Sequence, residues 1–384
     1  MKENLSDIEL IELIKNVFPN YELQDKIAIL IDFPHTEDKD NKDWIERREI
    51  AKEWINILKD NIAKLNLSEI SLIGYPAVSA NNGDLPEYCF DITNSQLPKT
   101  AEELIKNRKI SFDNLFDNYK IFIAMTQLSA TAPLKNNAKK YNFRAATMPG
   151  FSKEMIPALR INYEKVAKNV KLIKEKLDKA EYAEVIFNTK DKEEIKTIFD
   201  LRFRKAHESS GRFPKIGTAG NLPSGEAYIV PYEGEFEEES KTNGIIPVQI
   251  NNDIVYYRVK NNRVIEVKGE GKEVEKEAEH LKREPAYGNI AELGFGVLYD
   301  FGLKPIGEIL LDEKLGFHIA FGRSDHFGGQ IGPKDFTSPE EVIHLDRIYI
   351  KEIQPFVIIK ELTLVYNDSK EIIIKNNKIL TSDN

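Results

Sequence analysis

Three of the six histidines in this 384-residue sequence, His318, His326 and His344, fall within the stretch 316–346, together with Asp325 and Asp346. Imidazole and carboxylate groups gathered at short spacing are the donors a divalent cation takes where no thiolate is offered. In Phe317-His318-Ile319-Ala320-Phe321-Gly322 the apolar residues alternate with one histidine and two very small residues. On a strand, that order makes one face apolar and clears space around the imidazole on the other. His344 and Asp346 stand at i and i+2, so a strand puts both on one face, where the pair can grip one cation.

Two carboxylates upstream extend the set. Glu226 follows a turn punctuated by proline and glycine in Asn-Leu-Pro-Ser-Gly-Glu-Ala-Tyr-Ile-Val-Pro (221–231), just as an apolar strand begins. Glu292 is embedded between Ile290, Ala291 and Leu293. It either points at solvent from an edge strand or is buried and must be neutralised, and a cation would serve. Two divalent ions ~3.5–4 Å apart are served by five or six side chains when a carboxylate and a water bridge them. Glu226, Glu292, His318, His344 and Asp346 supply five, and His326 or Asp325 a sixth. Taken singly, each residue also has an ordinary reading, as a hydrogen-bonded structural histidine or a solvated carboxylate. His35, His207 and His280 stand outside the cluster and read as structural or exposed. The acidic cluster 233–239 reads as a solvated loop, and no phosphate-binding loop, Gly-x-Ser-x-Gly or clustered-cysteine motif occurs.

The elements that must position these groups change character along the chain. Apolar runs near 27–33, 70–73, 119–125, 141–148 and 182–188 alternate with helical spacing at 44–65, 100–106 and 152–179. That rhythm implies a right-handed, mostly parallel α/β sheet for roughly the first 190 residues. Beyond it come short β-like runs separated by Gly, Asn and Asp, with 251–253 and 261–262 as hairpin turns and helical patterns chiefly at 272–282 and 306–314. The expectation is an α/β amino-terminal domain with a mostly parallel sheet, residues 1–205. An α+β, sheet-rich carboxy-terminal domain carrying the metal site follows, residues 206–384.

Composition bounds the function. A net charge of −9 argues against nucleic-acid or anionic-membrane partners, both of which need a basic surface. The single cysteine, Cys89, permits no internal disulfide and no cysteine-based zinc site, which suits a reducing compartment. The opening residues 1–18 form an acidic amphipathic helix pattern rather than a signal peptide, and no apolar run approaches the ~20 residues of a membrane span. The expected location is the cytoplasm.

The sequence order Asp200-Leu-Arg-Phe, Asn-Leu-Pro-Ser-Gly-Glu226, Ala-Glu292-Leu-Gly-Phe-Gly, Asp312-Glu-Lys-Leu-Gly-Phe-His318-Ile-Ala-Phe-Gly and His344-Leu-Asp346 resembles the aminopeptidase T family of thermophilic metallo-aminopeptidases. The similarity covers the carboxy-terminal half well. It implies a two-metal centre held by Glu226, Glu292, His318, His344 and Asp346, and a homodimer. The family pattern has a tyrosine seven positions after its first histidine, where this chain has Asp325 followed by His326.

The favoured reading is a metal-dependent hydrolase, an aminopeptidase acting on a peptide or small amide. Two zinc, cobalt or manganese ions would activate a water, Glu292 or another free carboxylate oxygen would take its proton, and Arg323 would steady the oxyanion or a substrate carboxylate. Asp325 is included with Glu292 and Arg323 among the catalytic candidates, and His326 with the metal ligands. One alternative is a mononuclear non-haem iron ring-cleaving dioxygenase using His318 or His326 with His344 and Asp346. The other is a non-catalytic metal-binding descendant of the same scaffold.

Overall fold

Ile27, Ala28, Ile29, Leu30 and Ile31 are all fully buried, as so apolar a run requires. In the computed structural model, which describes residues 4–22 and 24–381, this run is the strand Lys26–Phe33. The chain divides into two units, 1–165 with 211–224, and 166–210 with 225–384.

The first unit is built on a seven-stranded sheet with Lys26–Phe33 at its centre. Thr218–Asn221, Arg144–Thr147, Ile121–Met125, Lys26–Phe33 and Glu69–Pro76 run parallel, and Tyr88–Asp91 and Arg108–Ser111 add antiparallel pairs at one edge. The helix Lys42–Asp60 starts where the Asn41 side chain accepts from the Trp44 amide at 2.9 Å, and it buries Trp44, Ile50, Trp54 and Leu58. The amphipathic opening pattern becomes the helix Asp7–Val17, closed by a capping box between Ser6 and Glu9. Its first three residues in the sequence pattern, 1–3, lie outside the described residues, as do 23 and 382–384.

The second unit contains two antiparallel sheets. The larger has eight strands and includes Tyr182–Thr189, Ile195–Asp200, Asn243–Ile250, Asp253–Lys260 and Val357–Val365. The smaller has five, in the order His344–Ile348, Phe317–Gly322, Ile290–Gly296, Glu226–Ile229, His207–Ser209. Phe317, Ile319 and Phe321 form the back of the five-stranded sheet and are fully buried. The ring of Phe321 meets Tyr257 of the larger sheet at 5.0 Å, and Phe317 meets Tyr349 at 5.9 Å. The other face of the small sheet carries His318, Ala320 and Gly322.

The division of the chain departs from the boundary expected at 205/206 for two physical reasons. Tyr182–Thr189 pairs antiparallel with Val357–Val365, and its burial alternates along the strand as in a sheet with two unlike faces. It therefore does not extend the parallel sheet. Conversely, Thr218–Asn221 returns to the first unit and pairs with Arg144–Thr147. The helix Thr131–Tyr141 was not foreseen, because its TAPLKNNAKKY sequence buries only Pro133, Leu134 and Ala138. The helix expected at 152–179 is three pieces, Lys153–Met155, Ile156–Leu159 and Tyr163–Leu177. The turns 251–253 and 261–262 are hairpins as expected, with Asn251, Asn261 and Asn262 at positive φ, which asparagine tolerates. Among the described residues no helix is long and apolar enough to cross a membrane.

Candidate metal centre

Register is what assembles the site. Residues paired directly across an antiparallel ladder project from the same face. Glu226 pairs with Gly296; Tyr228 with Gly294, which pairs with His318; Glu292 with Ala320, which pairs with Asp346; and Gly322 with His344. One face of four strands therefore carries two glutamates, two histidines and an aspartate, with Tyr228 and Ile348 on the outer strands and glycine or alanine at the remaining positions of the two inner ones. Those small residues are a requirement of packing. A Cβ at Gly294 would lie far inside 3.0 Å of His318 Nε2, because the imidazole packs against that backbone.

The side chains converge. His318 Nε2 stands 3.4 Å from Glu292 Oε1, 3.8 Å from Glu226 Oε2 and 3.8 Å from Asp346 Oδ1. His344 Nε2 stands 3.3 Å from Glu292 Oε2 and 3.7 Å from Asp346 Oδ1. These donors form two groups, Glu226–Glu292–His318 and Glu292–His344–Asp346, each with ligand atoms within 4.8 Å of one another. Glu292 belongs to both and turns one oxygen toward each.

The outer nitrogens fix which atom each histidine offers. His318 Nδ1 faces the Gly316 carbonyl at 3.3 Å and His344 Nδ1 faces the Arg323 carbonyl at 2.7 Å. A carbonyl only accepts, so Nδ1 carries the hydrogen and, in a neutral ring, Nε2 presents its lone pair to the carboxylates. Lone pairs and carboxylate oxygens cannot face each other at these distances without a proton or a metal ion between them. Glu226 Oε2 is moreover buried with no hydrogen-bond partner among the described residues. Both observations fit a cation, and both histidine and carboxylate are good donors for one.

One cation is already built in. Lys314, with a side chain 3% exposed, places Nζ 2.5 Å from Glu226 Oε1 and also bonds Glu313. Burial alone would lower its pKa, but Glu226 and Glu313 more than reverse this, and the ammonium stays charged. Sequence reasoning missed Lys314 and Glu313, although both stand inside the Asp-Glu-Lys-Leu-Gly-Phe-His segment; the signal was an ionisable pair leading into a buried strand.

The turn after His318 behaves differently from expectation. Arg323 Nε bonds Asp325 Oδ1 at 2.6 Å, so these two charges engage each other. Neither Asp325 nor His326 contributes an atom to either donor group. The His326 ring instead leans against Phe327 and, at 5.2 Å, against His344; burial, His344 and Arg323 together hold its pKa down to about 4. Arg323 serves His344 through its carbonyl rather than its guanidinium. Glu233, expected in a solvated loop, is a tether for this turn. Its side chain is 3% exposed and accepts from Ser324 Oγ at 2.6 Å and Asn289 Nδ2 at 2.7 Å, beside Arg204. Only 236–239 of that acidic run are exposed. His207 stacks on Tyr228 and His280 on Tyr287, structural roles as expected.

Electrostatics predict a pH signature for the metal-free protein. Burial lowers the His318 and His344 pKa values, but Glu292 and Asp346 beside both rings lift them, to about 10 and about 9. A raised folded pKa gives stability that is full below the unfolded value, ~6.5, and lost as pH climbs through the folded values. Chelator-treated protein is therefore expected to lose thermal stability between about pH 7 and pH 10, by about 1–2 °C for each kcal/mol lost. A melting temperature that stays level or rises over this window in calorimetry would contradict the arrangement.

No protein-family model and no curated protein matches the chain. Among solved structures it is similar to 2,5-dihydroxypyridine dioxygenase from Pseudomonas putida KT2440, with a TM-score of 0.62 and 14% identity over 99% of each chain. It is also similar to wild-type AmpT, an aminopeptidase T, from Thermus thermophilus, with a TM-score of 0.52 and 14% identity over 97% of this chain and 99% of that one. At such identity the likeness is one of fold, and both neighbours are enzymes.

Proposed function

We propose that this chain is a metal-dependent hydrolase, an aminopeptidase that releases amino-terminal residues from peptides or small amides. The observation that carries the reading is the pair of donor groups sharing Glu292. Each group offers one histidine and two carboxylates. The two-histidine, one-carboxylate set of a mononuclear iron oxygenase would draw on His318, His344 and Asp346, whose Oδ1 stands 3.8 Å and 3.7 Å from the two Nε2 atoms, but these three do not form a donor group of their own.

In this reading Glu226, Glu292 and His318 would hold one divalent ion, and Glu292, His344 and Asp346 the other. Zinc, cobalt or manganese held there would supply Lewis-acid chemistry, lowering the pKa of a bound water toward ~7. The chain itself supplies orientation and dryness. The Gly316 and Arg323 carbonyls hold the two imidazoles, and Gly294 leaves the space that the His318 ring fills. Both oxygens of Glu292 face imidazoles, so it is a poor choice for the base. Burial pushes Glu313 up to about 8, and Lys314 links it to Glu226, so a carboxyl that is not a metal donor stands beside the donor set.

The test is metal analysis of purified protein alongside hydrolysis of aminoacyl amides and short peptides, with added zinc, cobalt or manganese. Two ions per chain with release of amino-terminal residues is expected. Less than about one ion per chain and no amide cleavage would refute the reading. A single iron with oxygen consumption on a hydroxylated ring would move the protein to the oxygenase class.

A further inference from the structure

The two cation positions are not alike, and the difference lies in Lys314. Its ammonium is 2.5 Å from Glu226 Oε1 in a pocket where Lys314, Glu226 and Glu292 are all at most 5% exposed. Glu226 therefore has one oxygen committed to the lysine and only Oε2 free, 3.8 Å from His318 Nε2. The position beside Glu226 and His318 thus receives half a carboxylate and faces a buried positive charge. The position beside His344 and Asp346 has no ammonium bonded to its carboxylates among the described residues. Among the described residues the partners of Asp346 Oδ1 are the two imidazole nitrogens, at 3.7 Å and 3.8 Å.

We propose that Lys314 makes the pair of sites unequal, so that the ion at Glu292–His344–Asp346 is held tightly and the ion at Glu226–Glu292–His318 is the weak, exchangeable one. This rests on the two-position reading above and deepens it. Two physical effects act in the same direction. A like charge a few ångströms from a dication in a low-dielectric pocket is repulsive, and a carboxylate already saturated by an ammonium is a poorer ligand than a free one. Glu313 bonds the same ammonium, so the lysine is held from both sides and cannot swing away to admit the second ion. The result would be a protein purified with one ion and activated by a second.

The experiment uses the full chain, stripped with chelator and titrated with zinc or manganese by calorimetry, with metal content measured again after desalting. Wild-type protein is expected to bind in two steps whose dissociation constants differ by about tenfold or more, and to keep one ion after desalting. Lys314→Met is expected to tighten the second step by about tenfold and leave the first within about threefold. Because this variant leaves Glu226 facing Glu313, the double variant Glu313→Gln with Lys314→Met is measured beside it and is expected to show the same tightening. Two equal steps in wild type, an unchanged second step in both variants, or loss of that step in both, would overturn the role given to Lys314 while leaving two positions intact. Absence of any binding by wild type would overturn the two-position reading itself.

Discussion

Glu292→Gln is expected to lower metal content to one ion per chain or fewer and to cut turnover by ~10³-fold or more, several kcal/mol of lost stabilisation. Glutamine preserves the shape of the buried side chain, so the fold should survive. What it removes is the charge, and with it an oxygen donor on one side. Glu292 is the group both donor sets need, with Oε1 3.4 Å from His318 and Oε2 3.3 Å from His344. Its carboxylate is held well below the ordinary range: burial raises the pKa, but the hydrogen bonds of His318 and His344 outweigh it. Among the described residues Glu292 is the one that belongs to both donor groups. Metal analysis and peptide hydrolysis measured together decide the matter. Near-normal values of both would show that the shared carboxylate is not central.

A smaller edit should have almost as large an effect. Gly294→Ala adds one methyl group to a backbone over which the His318 imidazole lies, closer than 3.0 Å to ring atoms. Neither partner has room to yield. The glycine is mid-strand, paired with Tyr228 on one side and His318 on the other, and the imidazole is 1% exposed. Overpacking of this kind costs about 1–3 kcal/mol of stability. The larger consequence is for the site, because the ring must rotate away from Glu226 and Glu292 to make room. Metal affinity at the Glu226–Glu292–His318 position is expected to fall by ~10²-fold or more while the Glu292–His344–Asp346 position is less affected. A variant with wild-type two-step binding would mean that the histidine does not need the space the glycine leaves.

Much of this site was legible because strands write their faces into the sequence. The alternation through 317–322 named both the buried back and the cleared front, and the i, i+2 spacing of His344 and Asp346 put them on one face. The convergence itself was not legible from spacing. Glu226 and Glu292 are 66 residues apart in sequence numbering, and what unites them is the register that sets Glu226 opposite Gly296 and Glu292 opposite Ala320. Register depends on turns and on the packing of the opposite face, neither of which a single strand reveals. The loop 323–327 was misread for a related reason. Arg323 and Asp325 carry charges suited to chemistry, yet the tight turn brings them to each other before anything else. Glu233 looked solvated because its neighbours in sequence are acidic, whereas its neighbours in space are Ser324, Asn289 and Arg204. In the first unit the apolar core strands were plain, but the polar helix Thr131–Tyr141 offered too few buried positions to announce itself.

Where cations sit relative to Glu292 is decisive. Crystals of the protein soaked in zinc or manganese, with anomalous scattering recorded at the metal edge, test this directly. Two peaks ~3.5–4 Å apart are predicted, one bordered by Glu226, Glu292 and His318, the other by Glu292, His344 and Asp346. A single peak bound by both His318 and His344, or no peak within bonding distance of Glu292, would contradict it.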